Sequence, residues 1–115
     1  MNILIIGCSG QVGYCLFNYL SPTHNVWGTY LNHVPNLNSP NIFQFDLSDA
    51  SHMERINVIP QVIFLVGGIT DVEFCEKNPA ISYQVNVEGV KRIADFAQTN
   101  KAKLVFYSSD YVFDG

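Results

Sequence analysis

The chain opens on Asn2-Ile3-Leu4-Ile5-Ile6-Gly7, a short continuous apolar run rich in β-branched side chains and stopped by glycine. A run with no alternation toward water predicts a strand covered on both faces. The period then changes, for Val12, Leu16, Tyr19 and Leu20 recur at helical spacing until Ser21-Pro22, where proline cannot continue the ladder. Residues 25–30 predict a second strand, the Asn- and Pro-rich residues 31–41 a surface loop, and residues 42–45 a short third strand. A helical turn is expected over 49–56 with Asp49 or Ser48 as its cap, and residues 61–66 repeat the two-sided apolar pattern as strand four. Residues 71–77 predict a short helix. Pro79 opens a longer one in which Val90, Ile93, Ala94 and Ala97 mark the buried stripe, and residues 103–107 predict strand five.

Strands that alternate with helices imply parallel pairing and an α/β sheet with helices on both faces. The expected architecture is a Rossmann-type doubly wound parallel sheet of order 3-2-1-4-5-6, of which the chain reaches about five strands. At 115 residues there is room for one core and not for two, so residues 1–115 read as the N-terminal part of such a domain with no second domain. A hydrophobic share of 48% against 14% charged residues is enough to pack that core.

Charge narrows the function. The net charge is -4, and all six Lys and Arg lie at or after Arg55, which leaves no basic stripe for nucleic acid or anionic lipid. No run approaches the roughly 18 apolar residues of a membrane span, so a soluble, cytoplasmic protein is expected. Cys8, Cys15 and Cys75 are odd in number and lack metal-binding spacing, and they read as small thiols. His24 and His52 have no partners at ligand spacing, and His33 reads as a loop histidine unless it serves a cofactor. From Met1 to Phe45 there is no Asp, Glu, Lys or Arg, which suits a stretch that is interior or ligand-facing.

Within that uncharged stretch, Gly7-Cys8-Ser9-Gly10-Gln11-Val12-Gly13 has the form GxxGxxG between a strand and a helix. The first glycine allows a tight turn, the second lets the backbone approach a pyrophosphate, and the third lets helix and strand pack closely. The helix start then offers free N–H groups and a partial positive charge, so no lysine is needed to hold a dinucleotide. No Gly-Lys-Ser/Thr follows, which excludes a Walker A loop. An NAD site commonly has an acid about 20 residues on. Here the stretch reads Thr29-Tyr30-Leu31-Asn32-His33, without a carboxylate to repel a 2′-phosphate and without the arginine that would select one. NADP is the expected cofactor, with NAD as the alternative.

At this point the chain resembles the extended short-chain dehydrogenase/reductase family, and within it the dTDP-4-dehydrorhamnose reductase group. The resemblance runs through the glycine turn, Asp46-Leu47, Thr70-Asp71-Val72, Asn78-Pro79, Val85-Asn86-Val87-Glu88-Gly89, and Ser108-Ser109-Asp110-Tyr111-Val112-Phe113-Asp114-Gly115. It implies that Asp46 and Leu47 flank the adenine, and that Val66-Gly67-Gly68 and Ser108 line the cofactor. Gly67-Gly68 departs from the family's usual alanine pair, which keeps room for the cofactor but loosens the backbone. Ser109 corresponds to the Ser/Thr of the family's Ser/Thr, Tyr, Lys set and would hydrogen-bond the substrate carbonyl. Asn86 reads either as a helix residue that reaches the sheet end or as a solvated asparagine.

The family's YxxxK is absent, since no tyrosine from Tyr14 to Tyr111 has lysine four positions on. The resemblance therefore implies reduction of the 4-keto group of a nucleotide sugar by a longer protein, the present residues by themselves binding cofactor poorly and catalysing nothing. The other readings are a cofactor-holding regulatory subunit similar to the β subunit of methionine adenosyltransferase, and a nucleotide-sugar epimerase or dehydratase. An open edge on strand five predicts self-association.

Overall fold

The five predicted strands form β1 (Asn2–Ile6), β2 (Asn25–Tyr30), β3 (Ile42–Gln44), β4 (Val62–Leu65) and β5 (Lys103–Phe106). These come from a computed structural model that describes residues 1–66, 77–80 and 84–106. All pairings are parallel, and the order is β3-β2-β1-β4-β5. The expected Rossmann-like topology is thus present through its fifth strand.

The central strand explains why its sequence shows no alternation. Successive side chains of a strand point to opposite faces, and here both faces are covered. Ile3, Ile5 and Val26 pack with Phe17 of helix α1 (Gln11–Leu20). Leu4, Ile6, Ile63 and Leu65 pack with Ile93 and Ala97 of helix α2 (Val90–Thr99) on the other. Burying one such aliphatic side chain contributes about 1.5–3 kcal/mol, so both faces of the sheet add to its stability.

Two details differ from expectation, at Tyr19 and before α2, and the capped turn after β3 bears it out. Tyr19 does not lie on the buried stripe of α1; it is 81% exposed, and the buried positions are Gly13 and Phe17, with Leu16 and Leu20 packed alongside. The stripe is shifted because a glycine, which carries no hydrophobic signal, occupies its closest approach to the sheet. The turn after β3 is a 3₁₀ helix, Ala50–Arg55, whose cap is Asp49: Oδ1 accepts from the Ser51 N–H at 3.0 Å and from its hydroxyl at 2.6 Å. Before α2 the backbone takes a π-helical path over Gln84–Gly89, and Pro79 and Ala80 are helical. The helix expected over 71–77 lies outside the described residues except for Lys77, as does Tyr107 at the expected end of strand five.

Among the described residues no helix is long and apolar enough to cross a membrane, and no His, Cys, Asp and Glu group could hold a metal ion. Cys8 and Cys15 are free thiols, the first buried and the second exposed.

Candidate functional site

Because every strand runs the same way, the segments after β1, β2, β3 and β4 all leave from one edge of the sheet. The path from β1 leads to β2 on one side, while the path from β3 returns to β4 on the other side of β1. Where connections diverge in this way, a crevice opens at the carboxyl ends of the strands.

The glycine turn stands at that point. Gly7 has φ 99°, a conformation that side chains other than glycine rarely adopt, and its N–H donates to Thr29 Oγ1 at 3.1 Å. The next N–H, of Cys8, donates to the Thr29 carbonyl at 2.7 Å. Both ends of Thr29 therefore hold the turn against β2. Gly13 is buried, and a Cβ there would lie 2.1 Å from the Gly7 carbonyl oxygen, so helix α1 can close on the turn only without a side chain. At Gly10 the opposite holds: a Cβ would meet nothing within 4 Å. The first bond of the helix ladder runs from the Tyr14 N–H to the Gly10 carbonyl at 2.9 Å, which leaves the N–H groups of Gln11, Val12 and Gly13 ahead of it. No side chain caps them and no acidic residue stands in the first turn. Ser9, Gly10 and Gln11 are exposed and Val12 is half-buried. A diphosphate fits this arrangement, with open space over the second glycine and an uncapped helix start.

The thiol inside the turn is not poised for chemistry. Cys8 is fully buried, and burial pushes its pKa up from 9.0 to about 11. It stays protonated at neutral pH and acts as a small apolar filler.

Of the remaining expected residues, Tyr30, Asn32, Asp46, Leu47 and Val66 lie at or just after strand ends on the same edge. Tyr30 ends β2 half-buried, and its carbonyl accepts from Phe45 N–H at 2.9 Å, while Asn32 and His33 are exposed on the following loop. The Tyr14 hydroxyl ties that loop to α1 through the Asn36 carbonyl at 3.3 Å. Val66 follows β4 half-buried, its N–H on the Ile6 carbonyl at 2.8 Å. Asp46 is half-buried after β3, with Oδ1 accepting from the Ser48 N–H at 2.9 Å and the Ser48 hydroxyl at 2.7 Å. Leu47 plays a bracing part: its side chain is buried in the core, and its carbonyl accepts from Arg92 Nη2 at 2.5 Å. Gly67, Gly68, Ser108 and Ser109 lie outside the described residues, and so does the side chain of Asn86.

Three residues that matter to this edge were not singled out from the sequence. Thr29 anchors the glycine turn; Arg92 reaches from α2 to the Leu47 carbonyl; His52 accepts the Asp46 backbone N–H on Nδ1 at 2.9 Å. Thr29 was the most discoverable, as a polar side chain inside an apolar strand opposite Ile6 in register.

Sequence comparison extends over the same ground, because the family model described as "RmlD substrate binding domain" matches residues 1–115. This chain belongs to that family. It is 32% identical over 115 residues to the dTDP-4-dehydrorhamnose reductase of Escherichia coli, covering 100% of this chain and 36% of that one. Among solved structures it resembles a hypothetical dTDP-4-dehydrorhamnose reductase from Sulfolobus tokodaii, with TM-score 0.80, 34% identity, and coverage of 100% of this chain and 41% of the other. The dTDP-4-dehydrorhamnose reductase of Bacillus anthracis in complex with NADP gives TM-score 0.75 and 27% identity over 99% of this chain and 38% of that one. The chain thus spans 36 to 41% of the length of these relatives. The resemblance to the dTDP-4-dehydrorhamnose reductase group holds in both sequence and fold.

Proposed function

We propose that these residues are the cofactor-holding part of a reductase that converts the 4-keto group of a nucleotide-linked sugar to an alcohol, with NADP as cofactor and NAD as the alternative. The observation that carries this reading is the turn Gly7 to Gly13, open at Gly10 and closed at Gly13, at the carboxyl edge of the sheet. Its family membership and the names of its relatives support the substrate class.

In this reading the N–H groups of Gln11, Val12 and Gly13 donate to the pyrophosphate, with Ser9 beside them. Tyr30 and Asn32 border the adenosine ribose and Asp46 the adenine, while Val66, Gly67, Gly68 and Ser108 line the nicotinamide half. NADP is favoured because residues 29–33 hold no carboxylate to repel a 2′-phosphate. When bound, the dinucleotide supplies the hydride that reduces the carbonyl. The Ser109 hydroxyl donates to the carbonyl oxygen and orients it. The resemblance assigns proton delivery to the tyrosine of a YxxxK motif, which has no counterpart in residues 1–115. The stretch alone is expected to bind cofactor weakly and to turn over nothing. A cytoplasmic location belongs to the same proposal and agrees with the free thiols Cys8 and Cys15.

The test is NADPH consumption with dTDP-4-dehydrorhamnose by a protein spanning the full length of the relatives. Turnover is expected, and Ser109→Ala should lower kcat by about 10² to 10³ with little change in KM. Tight cofactor binding without turnover on any nucleotide keto sugar would move the assignment to the cofactor-holding regulatory subunit.

A further inference from the structure

The segment after β3 is held by an unusual contact. His52, on the 3₁₀ turn Ala50–Arg55, accepts the backbone N–H of Asp46 on Nδ1 at 2.9 Å. A ring nitrogen that accepts from an amide carries no proton, so the imidazole is neutral with its hydrogen on Nε2. That nitrogen faces Asp49 Oδ2 at 3.3 Å. The ring is 16% exposed and stands edge-on to Phe45, with centroids 6.2 Å apart.

We infer that His52 is a positioning residue for the cofactor site: its neutral ring fixes the Asp46–Ser48 segment, and its protonation releases that segment, so cofactor affinity falls as the pH falls. This rests on the proposed adenine-side role of Asp46. When Nδ1 gains a proton it becomes a donor that opposes the Asp46 N–H, and the two must separate. The carboxylate of Asp49 favours the charged ring, since its Oδ2 already stands 3.3 Å from Nε2, and it keeps a partner for the imidazolium when the Nδ1 side lets go. Hydrogen bonds from the Ser51 hydroxyl and N–H hold Asp49 below the ordinary carboxylate value of 3.8, so it is ionised wherever histidine titrates.

The other charged groups on the elements around the ring are committed elsewhere. Arg55, on the same turn, donates from Nη1 to the Gln44 carbonyl at 3.0 Å; Arg92, from α2, donates to the Leu47 carbonyl; the Asp46 carboxylate is held by Ser48. Glu54 is exposed on the turn. Of the groups tied to the Asp46 backbone, His52 is the one whose bond is lost when it gains a proton.

Two readouts test this. The first is the amide resonance of Asp46 in the wild type and His52→Asn, followed by NMR from about pH 8 to pH 5 without cofactor. The second is NADPH affinity at both ends of that range for the wild type, His52→Asn and His52→Leu. Asparagine presents an oxygen that accepts the same N–H but does not titrate, whereas leucine offers no acceptor. The wild type should lose about three- to tenfold affinity at the acid end. His52→Asn should hold a flatter profile by that same factor, and His52→Leu should run parallel to His52→Asn at an affinity about three- to tenfold lower throughout. The 2′-phosphate, which itself titrates near about pH 6, is common to all three and cancels in the comparison. Parallel profiles for wild type and His52→Asn, or an Asp46 amide resonance that moves no more in the wild type than in His52→Asn, would overturn the inference. If no variant binds a dinucleotide at any pH, the cofactor reading fails, and the amide titration still decides whether His52 governs the segment.

Discussion

Gly7, Gly10 and Gly13 share one turn and answer to three different constraints: a positive φ, open space, and a carbonyl 2.1 Å from where a Cβ would stand. Substitution separates them. Gly13→Ala should destabilise the fold by about 1–3 kcal/mol, because backbone on both sides must move, and lower the melting temperature by roughly 5 to 20 °C. Gly10→Ala should change stability by less than about 1 kcal/mol yet weaken NADPH binding about tenfold or more, since its methyl stands where the phosphates would sit. Thermal unfolding and a cofactor titration on both variants check this; equal losses of stability would contradict it. These glycines were legible in the sequence because their spacing between a strand and a helix fixes their mechanics. Thr29, His52 and Arg92 were not, because what defines them is a bond to backbone 22, 6 and 45 residues away.

At the scale of elements, the strands were read well and one helix face was misphased. A strand buried on both faces declares itself by composition, as β1 and β4 do, so their positions were recovered to within a residue. Helix α1 buries Gly13 and Phe17 while Tyr19 points to solvent, and neither the glycine's role nor the tyrosine's exposure is visible in a hydrophobic count. The consequence is measurable: Phe17→Ala should cost about 3–5 kcal/mol, whereas Tyr19→Ser should stay within about 0.5 kcal/mol. Chemical denaturation of the two variants gives the comparison, and a cost at Tyr19 equal to that at Phe17 would mean that α1 is rotated on the sheet. The path into α2 shows the same limit of pattern reading. A Cβ at Gly89 would lie 2.6 Å from the Leu47 carbonyl oxygen, so the Gly89 that closes the Val85-Asn86-Val87-Glu88-Gly89 motif is where α2 approaches the segment after β3.

For the whole molecule, the two edges of the sheet differ. On β3 the Gln44 carbonyl is capped by Arg55, whereas β5 is paired with β4 alone among the described residues and leaves Phe106 56% exposed. An open parallel edge invites pairing with another chain. We therefore expect this chain to self-associate as its concentration rises, and Phe106→Lys to reduce the effect without loss of stability; light scattering that reports a monomer at every concentration would contradict it. The topology was legible because alternating strands and helices admit few arrangements. The role proposed for Ser109 rests on resemblance alone, for Ser109 lies outside the described residues and its Tyr and Lys partners have no YxxxK counterpart in residues 1–115.

Backbone amides at the first crossover are proposed to hold a dinucleotide without a cationic side chain. Titration of the protein with NADPH, read residue by residue from amide chemical shifts and repeated with Gly10→Asp, tests this most directly. Saturable shifts centred on Gly10 to Gly13 in the wild type, lost in a variant that remains folded, are the predicted result. Undiminished binding by Gly10→Asp, or shifts centred on Asn2, Asn25 and Gln61 at the opposite edge of the sheet, would contradict the account.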